Sequence, residues 1–271
     1  MYERTNYNTD LTDHQWQTMK KMLPEQKKGP RQICRRWIIN AIWYLVRAGC
    51  QWRNLPRDFP NWKTVYNVFW HWRNAGIWEK IHDALCEKVR KNAGKKPTPS
   101  VGIIDSQTIK TTEVGGDDRG HDAGKKITGR KRHIVVDTLG LIMAVVVHSA
   151  NIQDQDGAKL VFTALAKRRF HRLKIIFADS AYKRSGLPDW LLDQFGWILQ
   201  AVLKPVGLRG FVVLPKRWVV ERTLAWLGKF RRHSKDYERN PESSKAMIHI
   251  AMTARMLKSL EKNWKKRSRD G

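Results

Sequence analysis

The spacing of apolar residues changes once along this chain, near residue 100. That change restricts the fold to a helical segment followed by one that contains a sheet. Up to residue 91 the apolar positions recur at helical intervals. Thr12 and Gln15 make a capping-box pattern ahead of Trp16, Met19 and Leu23. Ile33, Trp37, Ile38, Ala41, Ile42, Leu45 and Val46 form one stripe, with Arg35, Arg36 and Arg47 outside it and Gly49 as its stop. Asn61 is placed to cap a third helix through Trp62, Val65, Tyr66, Phe69 and Trp70, ending at Gly76. A fourth runs through Ile77, Trp78, Ile81, Ala84, Leu85 and Val89. Eight of the thirteen Trp residues lie in this block, so a folded module is expected rather than a disordered arm.

Asn92–Ser100 (NAGKKPTPS) has the composition of a linker. Beyond it Val101–Ile104 reads as a short buried strand, followed by a polar, Gly-rich stretch. Lys131–Asp137 and Leu141–His148 read as strands joined by the turn signal Asp137-Thr-Leu-Gly140. A helix around Ala158, Leu160, Val161 and Leu165 follows, then strand Lys174–Ala178, helix Leu187–Phe195, strand Trp197–Leu203 and a helix through Glu221. The order β-β-β-α-β-α-β-α is that of a ribonuclease-H-like core. The expected fold is α/β, with a mixed (α+β) sheet and a small all-α N-terminal domain. The expected division is 1–91 helical and helix-turn-helix-like, 92–100 linker, 101–240 ribonuclease-H-like core, and 241–271 C-terminal helix and basic tail.

Lys and Arg number 52 against 25 Asp and Glu, a formal charge of +27 that is spread along the whole chain. A polyanion is the economical partner, because each neutralised phosphate releases condensed counterions; membrane-surface or ribosome association is the blander alternative. The helical block is expected to bind DNA, with Arg35, Arg36 and Lys63 as candidate contacts, or else to be an ordinary bundle whose Trp residues only fill its core. Cys34, Cys50 and Cys86 are far apart and form no CxxC pair, which fits a reducing cytoplasm and supports neither a zinc knuckle nor a disulfide framework. The N-terminus lacks a signal-peptide core, and the longest apolar run, Leu141–Val147, is far too short to span a bilayer. A soluble cytoplasmic protein without a membrane partner is expected.

Asp105 and Asp179 each follow directly on a predicted strand. If those strands are parallel neighbours, the two carboxylates stand side by side at one sheet end, where α/β sheets present ligand groups. Glu221 lies early in a helix able to pack at the same end. Converging carboxylates repel one another and are best tolerated around divalent cations. An Asp after a strand is also a common turn residue. Asp137 is read as structural, and Asp154 and Asp156 as helix caps. On a helical wheel Arg217, Gly228 and Arg232 fall within about 40° of Glu221, with Lys229 and Arg231 flanking that face. Arg217 and Glu221 form either a plain i,i+4 ion pair or a metal ligand among phosphate-binding arginines. The segment Gly124–His133 (GKKITGRKRH), with Lys125, Lys126, Arg130, Lys131 and Arg132, lacks the Lys-Ser/Thr of a nucleotide-binding loop. It is either a grip on a DNA backbone or a solvated charged loop. No G-x-S-x-G, H-E-x-x-H or Cys/His pattern supports hydrolysis through Ser, Cys or zinc.

These stretches resemble the DDE transposases of bacterial insertion sequences over nearly the full length. The likeness rests on LTDHQW and AGCQWRNLPRDFPNWKTVYNVFWHWRNAGIWEKIHDAL in the first block. In the core it rests on IIDSQTIKTT, GRKRHIVVDTLGLIMAVVVHSANIQDQDGA, FADSAY and RWVVERTLAWLGKFRRHSKDYERNPESS. The resemblance implies a two-metal D, D, E site carried by Asp105 in DSQ, Asp179 in ADSAY and Glu221 in VVER, loaded with two Mg²⁺, for which Mn²⁺ is expected to substitute. It implies that water cuts a phosphodiester at the element's end and that the freed 3′-OH then attacks target DNA. The implied partners are double-stranded terminal inverted repeats and target DNA, handled by a homodimer or larger assembly. Against the spacing Y-x2-R-x3-E-x6-K of many relatives, Arg217 and Glu221 fit. Leu214 stands at the Tyr position and Gly228 at the Lys position, with Lys229 one residue later. The 41 residues between Asp179 and Glu221 leave no room for a large inserted domain, although Gly207–Lys216 could make a small hairpin. A plain endonuclease or RNA/DNA-hybrid hydrolase, and a DNA-binding repressor derived from a decayed element, are the rival readings.

Overall fold

A computed structural model describes residues 6–25, 33–113, 115–168, 170–183, 186–202 and 216–270. In chain order the helices α1 (Asp13–Lys20), α2 (Arg35–Ala48), α3 (Trp62–Asn74) and α4 (Ile77–Asn92) precede strands β1 (Val101–Lys110), β2 (Gly120–Asp122), β3 (Ile127–Val136) and β4 (Ile142–Ser149). Then come α5 (Asp154–Ala166), β5 (Ile175–Ala178), α6 (Leu187–Phe195), β6 (Ile198–Ala201), α7 (Arg217–Leu227) and α8 (Pro241–Asp270). Two compact units result. One comprises Met1–Gly94, Lys229–Ser234 and Ala246–Gly271; the other comprises Lys95–Gly228 and Lys235–Lys245.

In the first unit the local signals act as their chemistry dictates. Thr12 and Gln15 form the reciprocal capping box of α1. Gly49 ends α2 at φ 76°, a left-handed conformation that only glycine adopts freely. The Asn61 side chain accepts from Lys63 N at 3.0 Å to start α3. Thr12 Oγ1 and Gln15 Nε2 also donate to Glu261 at 2.9 and 2.6 Å, which ties α8 to the cap of α1. Ile38, Ile42, Leu45, Phe69, Trp78, Ile81 and Leu85 are buried, so the apolar stripes do face a common core.

The second unit is built on a six-stranded mixed sheet. β1 is antiparallel to β3, from Ile103↔Val136 to Lys110↔Gly129, and parallel to β5 from Val101↔Ile175 to Ile103↔Phe177. β6 extends the sheet in parallel beyond β5. The other edge of β3 pairs with β4, and next to it with the short β2, which lies in the Gly-rich stretch where no strand was expected. This is the mixed α/β, ribonuclease-H-like arrangement anticipated from the element order. α5 and α6 cover one face through Val161, Phe162, Leu165, Leu187 and Leu191. Each of the larger side chains contributes about 1.5–3 kcal/mol on burial. α7 docks through Thr223 Oγ1, which donates to Gly140 O at 3.0 Å in the β3–β4 turn. Asp137 organises that turn by accepting from Leu139 N and Leu141 N, both at 2.9 Å. No helix among the described residues is long and apolar enough to cross a membrane.

Candidate active site

Asp105 does not follow the end of its strand; it lies in the middle of β1. The sequence expectation stopped the strand at Ile104 because the apolar run ends there. The antiparallel partner β3 carries pairing on to Lys110, whereas the parallel partner β5 stops matching at Ile103. Asp105 therefore lies two residues beyond the last β1–β5 pair, Ile103↔Phe177, as Asp179 does on the other strand. The Asp105 carboxylate accepts from Ser106 N at 2.8 Å. Asp179 accepts from Ser180 Oγ at 2.9 Å and opens a tight turn closed by Tyr182 N to Asp179 O at 3.1 Å.

Glu221 reaches this end of the sheet because Val219, Val220, Thr223, Leu224 and Leu227 bury the opposite side of α7. Arg217, one turn earlier, puts Nη2 2.9 Å from Asp179 Oδ2 and 3.4 Å from Glu221 Oε1. Burial pushes the Asp105 carboxyl up to about 6, and the Glu221 carboxylate pushes the same way; Ser106 N–H, Arg217 and Lys125 oppose them. All three acids thus feel one another or share one cation.

Among the described residues, no three His, Cys, Asp or Glu side chains stand close enough to share a single metal ion. The Arg217 guanidinium bridges two of the acids. The donor set of carboxylate oxygens suits hard divalent cations, and a positive group already fills the gap between Asp179 and Glu221.

The basic candidates divide into two groups. Lys125 and Lys126 are exposed in the turn before β3, as are Lys63, Lys229 and Arg231 in the other unit. Arg130, Lys131 and Arg132 are only 0%, 4% and 2% exposed, which corrects both readings of Gly124–His133 as a loop. From Ile127 the segment is strand β3, flanked on both edges, so its side chains alternate between two covered faces. Arg130 donates to Asp118 O, Gly115 O, Glu238 O and Arg239 O. Burial pulls the Arg132 guanidinium down to about 10 against the pull of Asp236 and Glu238. Arg232 is also buried and donates to Cys50 O at 2.9 Å. It does not continue the face of Glu221, because α7 ends at Leu227 and residues 229–234 belong to the first unit. Arg36 pairs with Asp13 at 2.6 Å, and Arg35 donates to Pro24 O. Leu214 and the hairpin expected over Gly207–Lys216, apart from Lys216, lie outside the described residues.

Asp154 is not a helix cap: Gln153 holds the N-cap position of α5. Its carboxylate takes Lys131 Nζ at 2.9 Å and Ser106 Oγ at 3.0 Å, joining β3, β1 and α5 behind Asp105. Although burial works against the ionised form, Lys131 holds Asp154 below the usual carboxylate range. Next to it His133 Nδ1 and His148 Nε2 meet at 2.8 Å, and the His133 and Tyr182 rings lie 6.4 Å apart. Burial, and then Asp105 and Asp154, push the Tyr182 hydroxyl well above its ordinary value. Sequence reasoning missed this network. The alternation of Lys131 and His133 against Arg130 and Arg132 was the available signal.

A family profile described as transposase DDE domain matches residues 96–257, and one described as putative transposase of the IS4/5 family matches residues 11–82. A putative transposase for insertion sequence element IS402 of Burkholderia cepacia is 30% identical over 128 residues, covering 45% of this chain and 60% of that protein. An uncharacterized 16.2 kDa protein of IS402 from the same organism is 25% identical over 113 residues, covering 39% and 76%. Uncharacterized protein y4sN of Sinorhizobium fredii (strain NBRC 101917 / NGR234) is 27% identical over 81 residues, covering 29% and 64%. With the profile spanning more than half the chain, on a sheet of the expected topology, the chain belongs to the transposase DDE-domain family.

Proposed function

We propose that this transposase cuts DNA at the ends of its insertion sequence and joins the freed 3′-OH to target DNA, using Asp105, Asp179 and Glu221 as the acids of one site. The observation that carries this reading is the approach of Asp179 and Glu221 to a single cationic atom, Arg217 Nη2, beside a carboxyl whose ionisation Glu221 opposes. Asp105 and Asp179 would hold one divalent ion between them and Glu221 a second, with Mg²⁺ the physiological ion and Mn²⁺ a substitute. When bound, such ions supply Lewis acidity at the scissile phosphate. Arg217, released from the acids, turns to the phosphate, where its planar donors suit two oxygens. Lys125 and Lys126 extend the positive surface of the same unit. Lys63, Lys229 and Arg231 do so in the other, and Arg35 and Arg36 reach DNA only by giving up the partners they hold. Arg130, Lys131, Arg132 and Arg232 serve the fold and are not part of this surface. Two element ends have to be processed together, so a dimer or larger assembly forms on DNA.

Pre-cut element ends bearing a free 3′-OH, incubated with target DNA and Mg²⁺, test the reading. Joined products appear with the native chain and disappear with Asp105→Ala, while DNA binding persists. A plain nuclease leaves the ends unjoined; a repressor binds them and does nothing further. Unchanged joining by Asp105→Ala overturns the site assignment. With six to ten phosphates contacted, affinity should fall roughly 10³–10⁵-fold between about 50 and 200 mM salt.

A further inference from the structure

The exposed face of α3 carries aromatic rings where a surface helix ordinarily carries polar side chains. Val65, Phe69 and Trp72 bury one side of this helix. Trp62, Tyr66 and Trp70 recur at i, i+4 and i+8 along the flank of the helix, from the half-buried Trp62 at the margin of the buried side outward to Trp70, about 6 Å apart along the axis. Tyr66 is 37% and Trp70 40% exposed. Cations accompany the rings: Arg53 lies 5.5 Å and Lys63 5.9 Å from the Trp62 ring centre, and Arg73 lies 5.9 Å from that of Trp70. From behind, Trp52 supports Tyr66 edge-on at 5.3 Å. The result is a row of three rings, the outer two with positive charge near them and the middle one propped by Trp52.

Burying Tyr66 and Trp70 would serve stability better than displaying them, and the cations exclude an apolar partner. Duplex DNA, whose bases are stacked and whose phosphates lie outside, would use the cations and leave the ring faces idle. An unpaired strand offers both features at once: base faces to stack on the rings and a phosphate backbone to follow the Lys and Arg. We propose that the α3 face binds unpaired DNA, holding bases of a strand that is opened or frayed during transposition. The proposal rests on the reading of DNA as substrate but not on the assignment of the three acids.

Fluorescence anisotropy of labelled oligothymidine and of a duplex of equal length, with the full chain in EDTA, tests it. Tyr66→Ala and Trp70→Ala should each weaken oligothymidine binding about tenfold, with duplex affinity changed less than about threefold. Trp70→Phe should retain most single-strand binding, and it guards against a fold lost on truncation, which circular dichroism would reveal. Equal loss on both DNAs would mean that the face reads duplex. Unchanged DNA binding with an altered oligomeric state would mean that it meets protein. Either result overturns the proposal, as does full single-strand affinity in both alanine variants. Strand joining by the native chain is scored separately, so failure here leaves the transfer reading standing, and the reverse.

Discussion

Arg217 places Nη2 2.9 Å from Asp179 Oδ2, so an internal cation stands beside an acid that the proposed chemistry needs for a metal. Removing that cation should favour a competing one. Arg217→Gln is expected to bind free Mn²⁺ more tightly in the absence of DNA, by about three- to tenfold, yet to join DNA poorly for want of a phosphate ligand. Electron paramagnetic resonance titration of free Mn²⁺ measures the first effect. Weakening comparable to that of Asp179→Asn would show that Arg217 supports the site rather than competing for it.

Asp105 has a folded-state carboxyl pushed up from 3.8 to about 6, chiefly by burial. Between those values the folded state holds more protons than the unfolded one, so this group makes the metal-free protein more stable as pH falls from about 6 to 4. His133 and His148 are shifted down by burial, so they act oppositely below their ordinary 6.5. They are common to native and variant chains. The difference in melting temperature between Asp105→Asn and the native chain in EDTA should be largest at pH 7–8, with the variant more stable, and should vanish near pH 4. A difference independent of pH would contradict the shift.

Lys131 is buried and relies on Asp154 at 2.9 Å and Ile152 O at 2.9 Å. Asp154→Ala leaves that ammonium under-compensated and strips Ser106 of its acceptor, at a cost of about 1–3 kcal/mol. The half-exposed carboxylate keeps the loss near the lower figure. Lys131→Met should cost less than Asp154→Ala, because Asp154 can turn to solvent. Urea melts of both variants decide the order, and the reverse order would make Asp154 the dependent partner.

Gly157 lies inside α5, where alanine ordinarily gains up to about 1 kcal/mol. A Cβ there would meet His133 Cε1 at 2.3 Å and His148 Nε2 at 2.6 Å, within a buried pair already in contact at 2.8 Å. Overpacking should win, and Gly157→Ala should lose about 1–3 kcal/mol in thermal melts. A stabilised variant would show that the histidine pair yields easily.

The reading from sequence succeeded where a signal is local. Leu187–Phe195 was placed to the residue, and the capping box, the Asn61 cap and the Gly49 stop were each visible in a few adjacent side chains. It erred where pairing is remote. Val101–Ile104 looked like a complete strand because Asp105, Ser106 and Gln107 are polar; β3, more than twenty residues on, prolongs it.

The order of helices and strands, the short β2 apart, and the excess of positive charge were written in the chain itself, since periodicity and composition act over neighbouring residues. Only the tertiary structure decided that Arg130, Lys131 and Arg132 turn inward and that Arg217 bridges Asp179 and Glu221. A strand's own sequence cannot say which segments will cover its two faces. For a charged side chain that cover decides between a solvated contact for DNA and a paired group inside the fold.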